Sequence, residues 1–453
     1  MKAKDGSWGL KLQIYDDSLS ERTNGLLFWI KLMLFFDFFS VALVVPLMSS
    51  YFRSAGMDSK LWGYTSSTYQ IAQLLGGVVM GALSDIISKR AVLIISFAGS
   101  AVSYLLVGLS KSAFVLLGSR ALVGLVKQTM TVSTAAVQEL VDGDDDIRTK
   151  QLGQISAIAR VSFIIGPGLG SFLFKIDPFI PCLAAGAIFG INIAIAGIFM
   201  PAVLSNLNGD ISQRDEKNSD VGGSNEASNA AGPWSAIKRF GNSLSSLIQL
   251  PNVGIILIFR MTISFVENSM SSRHILNYFE DRFGIETFQL GYVQSFTMAV
   301  SILSELYLLP KLLQFFKDKN SFHVVSFLLV GLGATNFLEY ISPSYYVYVG
   351  ISLLPATVLS SLLSFKMQQI FLHRIPVNET GKALGVIGVT SSVIGILSPI
   401  YANVALSPES PRTVLNGTFT LTRPLYATIH FVVLGCAAII LSSKEDKEKK
   451  KTE

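Results

Sequence analysis

Charge is scarce in this chain of 453 residues, because Asp, Glu, Lys and Arg together make up only 15% of it, against about 25% in an average soluble protein. Apolar residues make up 50%, and the mean hydropathy is +0.50. This composition excludes an ordinary water-soluble globule. Cysteine is almost absent, since only Cys182 and Cys436 occur and both lie in apolar runs. A disulfide framework and a thiolate metal site are therefore excluded, and we expect both cysteines to be packing residues.

Several chemical signatures are also missing. The sequence has no phosphate-binding loop, no nucleophile constellation and no clustered set of metal ligands, and its four histidines show no metal-ligand spacing. We therefore predict that the protein is not an enzyme and holds neither a cofactor nor a metal. The first 25 residues contain eight charged side chains and no short apolar core, so we expect the first apolar run to stay in the protein rather than to be cleaved as a signal peptide.

What the sequence does contain is about twelve apolar runs of roughly 19 to 27 residues, each long enough to cross a hydrocarbon core about 30 Å thick. We number the predicted membrane spans one to twelve in chain order. They cover residues 27–51, 62–83, 91–109, 113–139, 152–174, 179–201, 252–276, 288–309, 321–340, 345–371, 384–405 and 423–442. The predicted fold class is an all-α membrane protein with twelve transmembrane helices.

The twelve spans divide into two six-helix bundles that resemble each other in sequence. Lys150 and Pro167 at span five recur as Lys382 and Pro399 at span eleven, 232 residues later in both cases. A repeat of six spans keeps the direction of each helix, so we predict parallel repeats that rock around a central site. The predicted domains are an N-terminal tail (1–26), the first bundle (27–201), a polar and largely disordered linker (202–250), the second bundle (251–443) and a basic tail (444–453).

The basic residues predict the orientation of the chain. About 22 Lys and Arg lie on the side of the two termini and about eight in the opposite loops, which places both termini in the cytosol. We attribute the net charge of +5 to this orientation, and we expect a monomer in the lipid bilayer with no nucleic-acid partner. Of two glycosylation sequons, Asn416 is predicted outside the cytosol and Asn378 inside it. The terminal Lys450-Lys451 pair is typical of retrieval to the endoplasmic reticulum and Golgi; a basic tail on a plasma-membrane or lysosomal protein is the alternative.

Three short motifs occur in neighbouring spans. The loop between spans two and three combines a glycine, an aspartate and a basic pair, namely Gly81, Asp85, Lys89 and Arg90. Span four carries Arg120 followed by Gly124, and span five contains Gly166-Pro167-Gly168-Leu169-Gly170. In this order the three resemble the signature motifs of the major facilitator superfamily, although Ile86 and Ser88 stand where a basic residue and a glycine are usual. The resemblance implies a conformational role for the loop.

The span-five run resembles a motif of the antiporter branches, and we expect Gly166, Pro167 and Gly170 to kink this span and to let it approach a neighbouring helix closely. In span one, Asp37 precedes Pro46 by an interval that resembles the tetracycline-exporter-like drug/proton antiporters of the superfamily. Other stretches resemble an orphan member of it. Together these likenesses cover almost the whole chain apart from the linker and the tails. They imply two bundles around a central cavity that is lined by spans one, four, seven and ten.

A few charged side chains remain at bilayer depth, where each costs at least about 2.5 to 3.5 kcal/mol on insertion scales. The clear cases are Asp37, Arg120, Lys127, Arg160, Arg260, Glu267, Glu305 and Lys366. Six of these eight lie on the four helices that the resemblance assigns to the cavity. Arg120 and Lys127 are seven residues apart, and so are Arg260 and Glu267, which places each pair on one helix face.

Counted at 1.5 Å per residue from the inner helix ends, Asp37 lies about 15 Å deep and Lys127 about 18 Å. We therefore predict that Asp37 pairs with Lys127 or Arg120. A carboxylate that alternates between a basic partner and a proton can couple proton movement to transport, and Asp37 is the first candidate and Glu267 the second. Static ion pairs that hold the helices in register are the alternative, which we prefer for Arg160 and Glu305.

The predicted function is secondary active transport of a small organic solute by alternating access, with protons as the coupling ion in an antiport cycle. Two alternatives stay open. A facilitative carrier would bind an ionic solute directly with the same charges and would ignore a pH gradient. A transporter-shaped receptor or scaffold would tolerate neutralisation of the charges.

Overall fold

The computed structural model describes residues 19–57, 59–141, 145–201, 245–246, 248–250, 253–270, 283–316, 320–375, 380–405, 412–414, 419–421 and 423–452. Each of the twelve predicted spans has a helical counterpart in these ranges. Among the described residues, nine helical stretches are long and apolar enough to cross a membrane, and Val386–Ala402 is a shorter apolar stretch. The fold is an all-α membrane protein. Two of the twelve spans are neither among the nine long stretches nor the shorter one. They are span two, which is rich in hydroxyl and amide side chains, and span seven, whose helix is described over 17 residues.

The first bundle contains six helical spans. Span one is Glu21–Val44, a 3-10 turn at Val45–Leu47 and Met48–Ser54; span two is Ser59–Ile86; span three is Lys89–Leu109; span four is Ala113–Val126 and Thr129–Leu140; span five is Asp145–Ile176; span six is Ile180–Phe199. Span one therefore begins at Glu21, inside the predicted N-terminal tail. The hydroxyl of Ser20 caps it by accepting a hydrogen bond from the backbone N–H of Thr23 at 3.1 Å.

The second bundle follows the same order. Span seven is Val253–Ser269; span eight is Thr287–Leu303, a π-helical segment Ser304–Leu308 and Leu309–Phe315; span nine is Ser321–Ile341; span ten is Tyr345–Tyr348, a π-helical segment Val349–Leu353 and Leu354–His373; span eleven is Thr380–Ala405; span twelve is Arg423–Thr452. Two short antiparallel strands, β1 (Arg412–Val414) and β2 (Phe419–Leu421), lie between the last two spans. Span twelve continues through most of the predicted basic tail. The predicted linker lies almost entirely outside the described residues, as do Asn378 and Asn416.

Each bundle has its own apolar core. Leu27, Leu34, Phe97 and Phe189 are among the buried residues of the first core, which draws on spans one to six. The second core contains residues of spans seven to twelve. Cys182 is buried in the first core as predicted, whereas Cys436 is exposed on span twelve and does not pack in the interior. Since no core residue is shared, the bundles are two units that meet at a limited interface.

Spans two, five, eight and eleven form the interface between the bundles. The backbone N–H of Gly168 in span five donates to the hydroxyl of Ser295 in span eight at 2.8 Å. The hydroxyl of Ser67 in span two donates to the carbonyl of Ile396 in span eleven at 2.9 Å. Gly291 has no side chain at a point where a Cβ atom would collide with Ser171 and with the carbonyl of Pro167. Two long helices of each bundle therefore touch the other bundle, and the remaining spans surround the two interiors.

Besides span one with its 3-10 turn, three spans of the described part of the chain are interrupted at places that the apolar pattern does not predict. Span four leaves helical geometry at Lys127 and Gln128, between its two helices. Spans eight and ten each contain one π-helical segment, a feature that often marks a functional position. Because apolar runs report only length and polarity, they carry no signal for these local changes in hydrogen bonding.

Candidate functional site

Asp37 and Lys127 form an ion pair inside the first bundle. The Nζ atom of Lys127 lies 2.6 Å from Oδ1 of Asp37, and the exposed fractions of the two side chains are 11% and 1%. Span one carries the carboxylate in its middle, and the ammonium comes from the point where span four is interrupted. Of the two partners predicted for Asp37, Lys127 and Arg120, the structure pairs it with Lys127. The carboxylate is therefore neutralised by one cation at a depth where water does not reach it.

A pair of stacked aromatic rings joins Lys127 to Arg120. Tyr104 of span three and Phe189 of span six stack with 5.7 Å between their ring centres and 12° between their planes. The Lys127 ammonium lies 5.4 Å from the Phe189 ring centre, and the Arg120 guanidinium lies 5.1 Å from that of Tyr104. Cations are attracted to the faces of aromatic rings. The two cations therefore share one side of span four, as their spacing predicts, although the helix is broken just before one of them.

Arg120 points into the bundle and away from Asp37. It is 7% exposed, it donates to the hydroxyl of Ser103 at 3.4 Å, and its Nε atom is buried without a hydrogen-bond partner. Within the described part of the chain no carboxylate lies within 4.0 Å of it. The structure therefore has the Lys127 alternative of the prediction for Asp37, and the guanidinium of Arg120 lies over a tyrosine ring instead.

Span one is held by further polar contacts that the search for intramembrane charges missed. Lys31 is 7% exposed, and its ammonium donates to the side-chain carbonyl of Gln154 in span five at 2.5 Å. The amide of Asn192 in span six donates to the carbonyl of Met33 at 3.0 Å. Lys31 lies inside predicted span one, six residues before Asp37, so its position in the sequence could have identified it as an intramembrane charge. These contacts fix the rotation of span one and with it the direction of Asp37.

The charged side chains on spans seven and ten of the second bundle make different contacts from those on spans one and four. The Ser360 hydroxyl of span ten donates to Oε1 of Glu267 in span seven at 2.7 Å. The Nη1 atom of Arg260 is buried and has no hydrogen-bond partner among the described residues. Lys366 donates to the side chain of Gln369, one turn further along the same helix, at 3.1 Å. All three charged side chains are half-buried, and in the described ranges none of them belongs to an ion pair.

Arg160 and Glu305 form an ion pair between the bundles. They lie on spans five and eight, and their side chains are 51% and 30% exposed. Both residues were predicted as members of static pairs off the cavity helices. The structure pairs them with each other, at the interface where the two bundles must move if they rock.

The loop between spans two and three is described in part. Gly81 and Asp85 lie on the helix of span two, but the surroundings of both residues are outside the described part of the structure. Lys89 forms an ion pair with Glu139 at the end of span four, and Arg90 is half-buried. The hydroxyl of Ser88 accepts from the backbone N–H of Ala91 at 3.3 Å. Ser88, which departs from the pattern of the resembled motif, therefore caps the helix of span three.

The glycines of span five lie against span one. A Cβ atom on Gly166 would collide with Ala42, and one on Gly170 would collide with the backbone carbonyl of Leu43. Pro167 lies inside the helix, which continues past it to Ile176. Close helix contact therefore accounts for both glycines, and the carbonyl of Pro167 faces Gly291 of the other bundle.

One further buried ionisable residue, Glu339, was not among those predicted from the sequence. Glu339 near the end of span nine is 5% exposed. It lies close to the predicted end of an apolar run, where an acidic residue is normally exposed, so position alone did not mark it.

Among the residues that the structure describes, no three His, Cys, Asp or Glu side chains cluster in a way that could hold a metal ion.

Comparison with known proteins agrees with this geometry. The sequence profile of the Major Facilitator Superfamily matches residues 30–399. Multidrug resistance protein 1 of Bacillus subtilis (strain 168) is 23% identical over 401 residues, which cover 87% of this chain and 93% of that protein. Tetracycline resistance protein, class C, of Escherichia coli is 28% identical over 167 residues, which are 36% of this chain and only 42% of that protein. The crystal structure of the nucleoside transporter NupG superposes with a TM-score of 0.62 at 15% identity, covering 92% and 98% of the two chains, and shows the shared fold.

Proposed function

The chain belongs to the Major Facilitator Superfamily, a family of transporters rather than enzymes, and on that premise we propose that it exchanges a small organic solute for protons across a membrane by alternating access. The observation that carries this proposal is the Asp37–Lys127 pair. Its two atoms are 2.6 Å apart and the carboxylate is 1% exposed. The names of the tetracycline and multidrug resistance relatives suggest an exporter of organic compounds.

The pair offers a simple coupling element. A buried carboxylate is stabilised in its charged form by a neighbouring cation and in its neutral form by a proton. When span four bends at its interruption during the cycle, Lys127 moves relative to span one, and separation of its ammonium from Asp37 favours uptake of a proton from whichever side is open. Return of the ammonium expels the proton. The interruption of span four at Lys127 gives this side chain a backbone that can turn without distorting a continuous helix.

The test uses the full chain in proteoliposomes with an imposed pH gradient and a metabolite extract outside, followed by mass spectrometry of the vesicle contents. Wild-type vesicles are expected to accumulate at least one solute only when the gradient is present. Asp37→Asn should abolish this accumulation, because an amide neither takes nor releases the proton, whereas Asp37→Glu should retain part of it. Accumulation by Asp37→Asn equal to that of the wild type would refute the coupling role.

A second candidate is a facilitative carrier of an ionic solute. The unpartnered guanidinium of Arg260 favours it, because a buried cation without a counter-charge is available to a solute anion. Such a carrier equilibrates its solute and gives the same vesicle contents with and without the pH gradient. The uptake experiment therefore separates the two candidates directly.

A further inference from the structure

Arg260 and Glu267 lie on one face of span seven without contacting each other. Seven residues separate them, so they are about 10 Å apart along the helix axis and nearly aligned around it. In the described part of the chain no ion pair joins them; each influences the other electrostatically from a longer distance. Two opposite charges therefore face the same space with a gap between them.

The guanidinium of Arg260 has unused donors. Its Nη1 atom is buried and unpaired, and no hydrogen bond from Arg260 occurs within the described residues. A guanidinium presents N–H donors in a planar fork that matches the two oxygens of a carboxylate. The residue as a whole is half-buried, so part of its side chain lies at the protein surface. The group that suits this position is a carboxylate.

The carboxylate of Glu267 has unused acceptors. Its hydrogen bond in the described ranges comes from the Ser360 hydroxyl at 2.7 Å, and an ionised carboxylate offers about four lone-pair positions. The nearest candidate cation on span ten, Lys366, donates to Gln369 instead. Glu267 is half-buried as well. The group that suits this position is an ammonium.

Building on the proposed transport function, we propose that Arg260 and Glu267 bind the two ends of a small zwitterion, with its carboxylate on Arg260 and its ammonium on Glu267. Two charge-assisted hydrogen bonds of about 2.8 Å and the short distance between the charges of an α-amino acid add up to less than the axial separation of about 10 Å between the two residues. A solute with only one charged end leaves the other protein group unpaired. Sites of this kind reject analogues that lack one of the bonded groups, so the pair selects for zwitterions.

The test measures thermal unfolding of the purified full chain in detergent, with three sets of probes: the common α-amino acids, their methyl esters and their N-acetyl derivatives. A ligand that binds the folded state raises Tm according to its concentration relative to Kd. We expect at least one free amino acid to raise Tm, and its methyl ester and N-acetyl derivative to need at least tenfold higher concentrations for the same shift. The methyl ester lacks the anion for Arg260, and the N-acetyl derivative lacks the cation for Glu267.

Two variants identify which residue binds which end. Arg260→Gln should bind the free amino acid no more tightly than the methyl ester, and Glu267→Gln no more tightly than the N-acetyl derivative. Asn268→Ala is the control, because Asn268 is exposed beside Glu267 and its amide donates to the backbone of its own helix. This variant should keep the wild-type preference for the zwitterion.

Three results would overturn the inference: no amino acid in the panel shifts Tm, the derivatives bind as well as the parent compound, or both variants keep the wild-type preference. Binding in detergent needs no gradient and no transport, so the two proposals fail separately. An amino acid that binds but is never accumulated in vesicles contradicts the transport proposal alone. Gradient-driven accumulation of another solute, with no binding of any zwitterion, contradicts this inference alone.

Discussion

The two bundles place a carboxylate at the same position and give it different partners. Glu267 lies 230 positions after Asp37, and Ser360 lies 233 positions after Lys127, close to the 232 that relates spans five and eleven. In both bundles the carboxylate of the first helix accepts a hydrogen bond from the fourth helix, at 2.6 Å from an ammonium in one and at 2.7 Å from a hydroxyl in the other. The repeat therefore preserves the contact and changes its chemistry.

This difference separates two roles within one architecture. The lysine neutralises Asp37 inside the protein, so that carboxylate needs nothing from a solute. The serine gives Glu267 a hydrogen bond but no counter-charge, and the side chain is half-buried, so that carboxylate retains the capacity to bind a solute. In the proposed cycle the first bundle handles the proton and the second bundle binds the solute. The distinction lies in the side chain that the fourth helix presents to the carboxylate, an ammonium in one bundle and a hydroxyl in the other.

The helices behind these carboxylates also pack differently. Spans two and four of the first bundle approach closely at Gly76 and Gly124, where a Cβ atom would collide with the backbone of the other span. The corresponding spans eight and ten enclose an open apolar cavity of about 530 Å³ that is lined by Phe296, Gly350 and Pro355, among others. Both of these spans carry a π-helical segment. At this pair of helices the second bundle is therefore packed less closely than the first.

The largest expected effect comes from removing the lysine that distinguishes the bundles. Lys127→Met leaves Asp37 buried without a cation, and breaking a buried ion pair in this way typically costs about 3 to 5 kcal/mol. We expect a lower midpoint of thermal unfolding in detergent. Ser360→Ala is the matched change in the second bundle and removes one hydrogen bond to a half-buried carboxylate, which costs about 1 to 3 kcal/mol.

The double variant Asp37→Asn with Lys127→Met tests the origin of this effect. Replacing both members of a buried pair leaves no uncompensated charge, so most of the lost stability should return. If Lys127→Met proves no more damaging than Ser360→Ala, the two bundles do not differ in the way described above. Failure of the double variant to recover would assign the loss to the contact of the Lys127 ammonium with the Phe189 ring rather than to its pairing with Asp37.

Much of this comparison could be predicted from the sequence. Apolar runs gave the helices because the length of a span is dictated by the bilayer, and a constant rise of 1.5 Å per residue put Asp37 and Lys127 at matching depths. The direction of Arg120 could not be obtained in this way. The guanidinium of Arg120 lies over Tyr104 rather than beside Asp37 because of where spans three and six place their aromatic rings. The interruption of span four depends on local backbone hydrogen bonds. Neither feature produces a periodic pattern of residues in a single sequence.

A smaller effect is expected from the difference in packing. Gly124→Ala would place its Cβ atom 2.6 Å from the carbonyl oxygen of Tyr69 and 2.7 Å from Cβ of Ala72, so the two helices must separate, at about 1 to 3 kcal/mol. Gly350→Ala is the matched change beside the cavity, where nothing lies within 4 Å of the added atom. It should leave Tm unchanged or raise it by the equivalent of about 0.5 to 1 kcal/mol, since glycine weakens a helix. Equal losses in the two variants would mean that spans eight and ten close on each other in solution.

The smallest change in stability is expected where the two bundles meet. Arg160 and Glu305 are 51% and 30% exposed, and ion pairs of this exposure contribute about 0 to 1 kcal/mol. Lys89 and Glu139 form a pair of similar exposure within the first bundle, at 27% and 28%. Arg160→Ala and Lys89→Ala should therefore lower Tm by similar small amounts. The two variants should differ in conformation, because of these two pairs only Arg160–Glu305 joins the two bundles, which move relative to each other in the proposed cycle.

The difference in conformation can be measured with spin labels at the exposed positions Asp177 and Glu286, which lie in the loops after span five and before span eight, in a Cys436→Ser background. A contribution of about 1 kcal/mol corresponds to a change of about fivefold in the ratio of two states. Arg160→Ala should redistribute the label distances by up to that factor, and the charge-swapped variant Arg160→Glu with Glu305→Arg should restore them. Lys89→Ala should leave the distances as they are. A distribution unaffected by Arg160→Ala would show that this pair only holds the helices in register, as the preferred interpretation of the sequence has it, and that the other contacts between the bundles position them.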